Sequence, residues 1–142
     1  MSTDTAILDQ LGRLLRQLTR LAGGADEGHS LTSSQRIALV ELGQDGPLRL
    51  NDLAHRMGAS APTASRAVDA LEALGLVTRS TEPSDRRALS IELSPEGRGL
   101  FDERVALAAR AFKPAAKALS AAERRDLLGL LERMTEALRE AG

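Results

Sequence analysis

Two short helical segments separated by a two-residue turn that contains a glycine constrain the fold of this chain more than any other feature. The first spans residues 51–57 and begins with Asn51, a residue type that caps helices, and the second spans 60–74 and begins with Ser60. Between them Gly58 supplies a tight turn, because glycine adopts a positive φ without steric cost. Two helices joined by so short a turn must cross at a sharp angle, as in a helix-turn-helix.

Alternating apolar residues lie on either side of this helix pair. They predict short extended segments at 48–50, 76–81 and 88–93. We expect Leu89, Ile91 and Leu93 to face inward. A helix-turn-helix followed by a hairpin is a winged helix-turn-helix, in which the second helix fits a DNA major groove and the hairpin lies beside it.

Amphipathic helices are predicted on both flanks of this region. Thr32 and Ser120 each begin a capping box, and Ser94 precedes a proline in the pattern that starts a helix. The fold class is therefore mainly α with a small β-wing: a winged helix-turn-helix with flanking N- and C-terminal dimerisation helices. We assign 1–142 to a single domain, 32–95 to the winged helix-turn-helix, and 1–22 with 96–142 to the helical dimerisation region.

The apolar stripes of the terminal helices can be explained in two ways. They recur at helical spacing at Leu11, Leu15, Leu18, Leu131, Met134 and Leu138. They can form ordinary core within one chain, or they can bury each other across a homodimer. We favour the homodimer, because terminal helices have no other large surface to cover and because two copies can read two DNA half-sites.

Composition excludes several classes of function. The chain has no cysteine, which excludes disulfides, zinc–thiolate sites and thiol-based redox sensing. His29 and His55 have no metal-ligand partners at a recognisable spacing, so we expect neither a metal site nor a cofactor. No phosphate-binding loop or nucleophile elbow occurs, and we therefore do not expect an enzyme. The N-terminus lacks the features of a signal peptide, which predicts a cytoplasmic protein.

The charge balance is unusual for a region that binds nucleic acid. The net charge of the chain is −1, and over residues 47–93 six arginines are balanced by six acidic residues. A basic footprint is the usual electrostatic sign of nucleic-acid binding. The neutral region therefore keeps a second hypothesis open, that of a winged-helix dimer that acts through protein–protein contacts without specific DNA binding.

The exposed face of the helix at 60–74 carries the first set of candidate DNA contacts. Burial of Ala64, Val68 and Leu71 leaves the following residues near the helix N-terminus on the opposite side: Ser60, Pro62, Thr63, Ser65 and Arg66. Hydroxyls and an arginine at a helix N-terminus suit phosphates and base edges. Asp69 on the same face would repel phosphate, so we expect it to pair with Arg79 across the helix–hairpin junction.

The predicted hairpin turn, residues 82–87, carries the second set. Its arginines, Arg86 and Arg87, lie on a narrow ribbon that can enter a minor groove, where negative potential is concentrated. Asp85 is placed to hold one guanidinium in a fixed orientation.

Several segments together match a known family. They are LTSSQRIALVEL, LNDLAHRMGASAPTASRAVDALEALGLVTR and DRRALSIELSPEGR, with amphipathic helices at both ends, and the DRRALSIELSPEG run after GLVTR is the most specific. Through them the chain resembles the MarR family of bacterial winged-helix regulators over nearly its whole length. The resemblance implies a homodimer that binds pseudo-palindromic double-stranded DNA, more often as a repressor, and that a small-molecule effector can release.

The resemblance also implies roles for individual residues. It places Ser60, Thr63, Ser65 and Arg66 at the DNA, and it implies that Arg87 enters the minor groove with Asp85 as its buttress while Arg86 contacts a phosphate. The opposite assignment, with Arg86 in the minor groove and Arg87 at a phosphate, is the alternative. Ala61 and Pro62 replace polar residues that the family often has there, so we expect DNA shape to contribute to specificity.

Overall fold

The computed structural model describes residues 2–21, 29–82 and 85–142, and it describes the side chains of these residues except at 82 and 85–88. In chain order the described elements are α1 (Thr3–Leu21), α2 (Ser33–Asp45), β1 (Leu48–Arg49), α3 (Leu50–Met57), α4 (Ala61–Ala73), β2 (Val77–Glu82), β3 (Asp85–Leu93), α5 (Pro95–Lys117) and α6 (Ala121–Ala141). The strands pair antiparallel in the order β1-β3-β2. The predicted fold class is confirmed.

The chain divides into two compact units. The winged unit, Ala22–Leu107, holds α2, α3, α4, the sheet and the first part of α5. The terminal unit combines Met1–Leu21 with Ala108–Gly142 and holds α1, the rest of α5 and α6. The functional regions expected from the sequence, 32–95 for DNA binding and the flanking helices for dimerisation, stay predictions.

The core of the winged unit is built from leucine, valine and small residues. Its largest fully buried side chains are Leu39, Leu42, Leu53, Val68, Leu71, Leu76 and Val77. Burying one such side chain stabilises a fold by about 1.5–3 kcal/mol. Gly43 of α2 makes room for a ring on α5, because a Cβ at this position would lie 2.2 Å from Phe101 Cδ2. This core, with few aromatic rings, holds the helix-turn-helix in place.

The sequence predicts glycine turns at Gly58 and at Gly75, the second as a Schellman motif that ends the helix at 60–74, and both adopt the left-handed conformation. Gly58 has a φ of 66° after α3, and Gly75 has a φ of 76° after α4. At the second turn the Leu76 N–H donates to the Leu71 carbonyl and the Gly75 N–H to the Glu72 carbonyl, both at 2.9 Å. These two bonds complete the predicted Schellman motif and fix where α4 ends.

The predicted cap of α3 is wrong. The helix begins at Leu50 with Arg49 in the capping position and no side-chain capping bond, so Asn51 lies inside the first turn. The reason is the preceding strand: Leu48 and Arg49 pair with Ile91 and Ser90 of β3. This pairing fixes the backbone up to residue 49, and the helix starts directly after it.

The hairpin differs from the prediction in two ways. Glu82 and residues 85–87, predicted as a turn, belong to the strands, with an irregularity in the ladder between Thr81 and Glu82. Backbone pairing therefore continues beyond the edge of the core. Leu89, predicted to face inward, is 49% exposed, whereas Ile91 is 2% exposed. The alternation of buried residues holds only where helices cover the sheet.

A buried serine joins the end of α4 to the start of α5. Ser94 Oγ accepts from the Gly97 N–H at 3.0 Å and donates to the Gly75 carbonyl at 2.5 Å, while the Ser94 N–H donates to the Leu76 carbonyl at 3.0 Å. A Cβ on Gly97 would lie 1.9 Å from that Leu76 carbonyl oxygen. The predicted serine–proline start of α5 is confirmed, and it also positions α4.

The terminal unit has a different character, because neither α1 nor α6 contains a buried residue. Its exposed large apolar side chains include Ile7, Leu8, Leu14, Leu15, Leu21, Leu128, Leu130, Leu131, Met134 and Leu138. The capping box of α6 is formed as predicted, with the Ser120 N–H donating to Glu123 Oε1 at 2.8 Å. That bond, and the bond with the Ser120 hydroxyl, hold the pKa of the Glu123 carboxyl below its ordinary value of 4.5. No helix in the described residues is long and apolar enough to cross a membrane.

Candidate nucleic-acid interface

The leading turn of α4 carries a chain of hydrogen bonds. Ser60 caps the helix by accepting from the Thr63 N–H at 3.2 Å, as predicted, and its hydroxyl donates to Thr63 Oγ1 at 2.9 Å. Arg66 Nη2 lies 3.4 Å from the same Thr63 oxygen. Three of the predicted contact residues therefore form one polar cluster, which orders their side chains before any ligand arrives.

The two faces of α4 are cleanly separated. Ala64, Ala67, Val68 and Leu71 are buried, which confirms the predicted inward face. Pro62, Arg66 and Asp69 are exposed on the other side, and Thr63 and Ser65 are half-buried at its edges. Arg66 has no carboxylate partner among the described side chains, so its charge is available to an anion. The dipole at the helix N-terminus favours the same kind of ligand.

The predicted pair between Asp69 and Arg79 is confirmed. Arg79 Nη2 of β2 donates to Asp69 Oδ1 of α4 in a short contact, and Arg79 Nε lies 3.7 Å from Glu72 Oε2. One arginine therefore meets two carboxylates and ties the hairpin to the helix. The role of Glu72 was not foreseen, although its position three residues after Asp69 puts it on an adjacent part of the same surface.

A second ion pair joins two other helices of the winged unit. Arg56 Nη1 of α3 lies 2.9 Å from Asp45 Oδ2 at the end of α2. With Arg79 engaged as well, at least two of the six arginines counted over 47–93 are paired with carboxylates among the described side chains. The positive charge that remains to meet DNA must therefore come from other arginines.

The wing candidates lie largely outside the described residues. The backbones of Asp85, Arg86 and Arg87 belong to β3 and not to a turn. Their side chains are outside the described part, as are Pro83 and Ser84. The predicted roles of the wing residues therefore stay predictions.

The histidines and acidic residues do not gather into a metal site. Among the described residues no group of three or more histidine, aspartate or glutamate side chains could hold a metal ion. His55 is exposed, whereas His29 is half-buried and its Nδ1 has no hydrogen-bond partner.

Known proteins resemble this winged helix-turn-helix chain in sequence. A model of the MarR family matches residues 31–89, which cover the segment from α2 to β3. A full-length relative agrees: the HTH-type transcriptional repressor NicR of Pseudomonas putida is 29% identical over 145 aligned residues, covering 99% of this chain and 92% of the relative.

The segment from α2 into β3 is a MarR-family domain.

Solved structures of transcriptional regulators share the fold of this chain. A "probable transcriptional regulator" from Pseudomonas aeruginosa is 36% identical and has a TM-score of 0.57, over 90% of this chain and 98% of that one. BpsR of Bordetella bronchiseptica, described by the regulation of its DNA binding by 6-hydroxynicotinic acid, is 25% identical with a TM-score of 0.67, over 95% and 96% of the two chains. Because the MarR family and these relatives are transcriptional regulators, the expectation that the chain is not an enzyme is confirmed.

Proposed function

We propose that this chain is a cytoplasmic, homodimeric repressor that binds a pseudo-palindromic operator through α4 and the wing. The geometry of α4 is the observation that carries the proposal. One face is fully committed to the core, and the other offers a polar cluster, an arginine and a helix N-terminus. Such a surface matches the phosphates and base edges of a major groove.

The residues of this interface would have different tasks. Ser60 and Thr63 lie at the helix start and would meet phosphate, while Ser65 and Arg66 lie one turn further along and would reach base edges. Pro62 is exposed between them and would make only apolar contact, for example with a thymine methyl group. Arg86 and Arg87 would supply the minor-groove and phosphate contacts of the wing, with Asp85 orienting one guanidinium.

The terminal unit supports the homodimer. Its helices α1 and α6 expose apolar side chains along their length and bury no residue. Monomeric proteins rarely leave so many large apolar side chains in contact with water. A second copy would cover them, and its two-fold axis would place the two α4 helices on successive half-sites.

A small molecule is proposed to release the repressor from its operator. The support is the relative BpsR, whose DNA binding is regulated by 6-hydroxynicotinic acid. This compound is therefore the first to test on the present chain, with nicotinic acid as the control that lacks the hydroxyl. The expected result is a fall in operator affinity with the first compound that exceeds the fall with the second.

The proposed function is tested by fluorescence-anisotropy titration of the purified protein against the DNA upstream of its own gene, with a scrambled duplex beside it. We expect the native duplex to bind at least about a hundredfold more tightly, since specific sites typically exceed non-specific ones by that factor or more. The affinity should fall steeply as salt is raised, because phosphate contacts release counterions.

The same titration tests the alternative function. Replacing Arg86 and Arg87 by alanine should weaken operator binding by on the order of tenfold to a hundredfold per half-site if the wing contacts DNA. Failure of the wild type to bind either duplex, even at low salt, would favour the dimer that acts through protein–protein contacts. The neutral charge balance of residues 47–93 is the observation that supports that alternative.

A further inference from the structure

An acidic side chain stands in the middle of the surface proposed to face DNA. Asp69 follows Arg66 by three residues and Pro62 by seven, so the three side chains lie along one strip of α4. The Asp69 side chain is 61% exposed, and that of Glu72, one turn of helix further on, is 46% exposed. Two carboxylates on this strip would repel the phosphates that the leading turn is arranged to attract.

Arg79 is the group that counters them. Its guanidinium contacts both carboxylates, and its side chain is only 30% exposed, less than either partner. Its backbone is held in the sheet, where Arg79 pairs with Ile91 of β3. The cation is thus anchored at its backbone and partly shielded from water, while the two carboxylates that it contacts are more exposed at the helix surface.

We propose that Arg79 is a positioning residue for DNA binding, which holds the carboxylates of Asp69 and Glu72 against β2 and cancels their repulsion of phosphate. The proposal rests on the proposed function, because it assigns a role in the approach of α4 to DNA. It also bears on how a region without net positive charge binds a polyanion. Arg79 holds the carboxylates of Asp69 and Glu72, and the guanidinium of Arg66 is left for the DNA.

A purely structural role of the ion pair predicts something different. If the pair only fixed the hairpin against α4, loss of either partner would weaken DNA binding and lower the melting temperature in the same direction. If the pair masks charge, loss of the cation and loss of the anion must change DNA affinity in opposite directions. The sign of the effect of Asp69→Asn therefore separates the two roles.

The experiment uses the full-length protein and two labelled duplexes, one that the wild type selects from a randomised pool and one of scrambled sequence. Fluorescence anisotropy gives the affinity of Arg79→Gln, Asp69→Asn, the double variant and Arg79→Lys at several salt concentrations. The control is Asp102→Asn, which makes the same charge change at an exposed position of α5. Thermal melting followed by circular dichroism reports the folding of every variant.

The charge-masking role predicts a set of outcomes with opposite signs. Arg79→Gln should weaken binding of both duplexes by on the order of tenfold, and Asp69→Asn should tighten it about threefold and steepen the salt dependence by about one charge per protomer. The double variant should return to within about twofold of the wild type. Arg79→Lys should keep most of the affinity, because it keeps the charge, and Asp102→Asn should change little.

Several results would overturn the inference. Weaker binding by Asp69→Asn in a folded protein would do so, as would an equal gain from the Asp102→Asn control. If Arg79→Gln fails to fold, a loss of affinity by the folded Arg79→Lys variant that exceeds tenfold would do the same. A wild type that selects no duplex would overturn the proposed function together with this inference, whereas the other results leave the proposed function standing.

Discussion

The winged unit and the terminal unit are both rich in leucine, but they bury it to very different extents. Leucine dominates both, but in the winged unit Leu39, Leu42, Leu53 and Leu71 are fully buried, whereas α1 and α6 bury none of theirs. The helix capping is equally good in both units, with complete capping boxes on α2 and α6. The difference teaches that local helix signals do not depend on a finished core. The winged unit completes its core within one chain, whereas α1 and α6 bury no residue, as expected for helices that a second copy would cover in the proposed homodimer.

The largest expected effect tests whether a second copy covers the exposed apolar side chains of the terminal unit. Replacing Leu131 and Met134 by glutamate should convert the proposed dimer to monomer, because each unpaired charge buried at the interface would cost several kcal/mol. Sedimentation equilibrium measures the mass directly. Leu89→Glu, at an exposed leucine of the winged unit, is the control and should leave the mass unchanged. A double variant that stays dimeric would place the interface elsewhere.

The next effect tests the finished core. Leu71→Ala removes a fully buried side chain of α4 and should lower the free energy of unfolding by about 2–5 kcal/mol. Urea unfolding at constant protein concentration measures the change. The matched control is Leu74→Ala, since Leu74 is 43% exposed at the end of the same helix and should cost far less. Equal losses from the two variants would contradict the distinction between them.

Helix caps allow a sharper comparison of the two units. Ser94→Ala leaves the Gly97 N–H and the Gly75 carbonyl without their hydroxyl partner in a buried place, and we expect a loss of about 1–3 kcal/mol. Ser120→Ala removes an exposed cap of α6 and should cost about 1 kcal/mol or less. Thermal or urea unfolding compares them, and a larger loss from Ser120→Ala would reverse our ranking.

The smallest effect concerns pH. The folded pKa of Glu123 is lowered by its bonds with Ser120, so its capping contribution is present above the ordinary value of 4.5 and is lost as the pH falls through the folded value. Wild-type α6 should therefore lose a little stability on acidification. Glu123→Gln, which cannot ionise, should lack that part of the pH dependence. Melting temperatures at mildly acidic and strongly acidic pH, compared between the two proteins, measure the difference.

Local signals in the sequence predicted most of the fold. The glycine turns, the Ser60 and Ser120 caps, the Ser94–Pro95 start and the buried face of α4 follow from conformational preferences that act over a few residues. The prediction failed at Asn51 and Leu89, where pairing between distant strands decided the outcome. Neither the position of β1 against β3 nor the edge of the core can be read from a short window of sequence.

In the candidate site, too, the sequence predicts the contacts within one helix better than the contacts between distant segments. The polar cluster of Ser60, Thr63 and Arg66 lies where helical spacing placed it, and charge alone suggested that Asp69 needed a cation. The second contact of Arg79, to Glu72, depends on how the hairpin lies against α4, which spacing does not give. The roles of the wing arginines stay predictions.

The bonds of Ser94 have a mechanical consequence. Because one residue holds both the turn that ends α4 and the first turn of α5, and because Gly97 touches the Leu76 carbonyl without space between them, neither turn can slide past the other. If the start of α5 is displaced, we therefore expect α4 to move with it as a whole helix. The Ser94 bonds thus connect α4 and α5 rigidly, and we expect bending to occur within the two helices on either side of this connection.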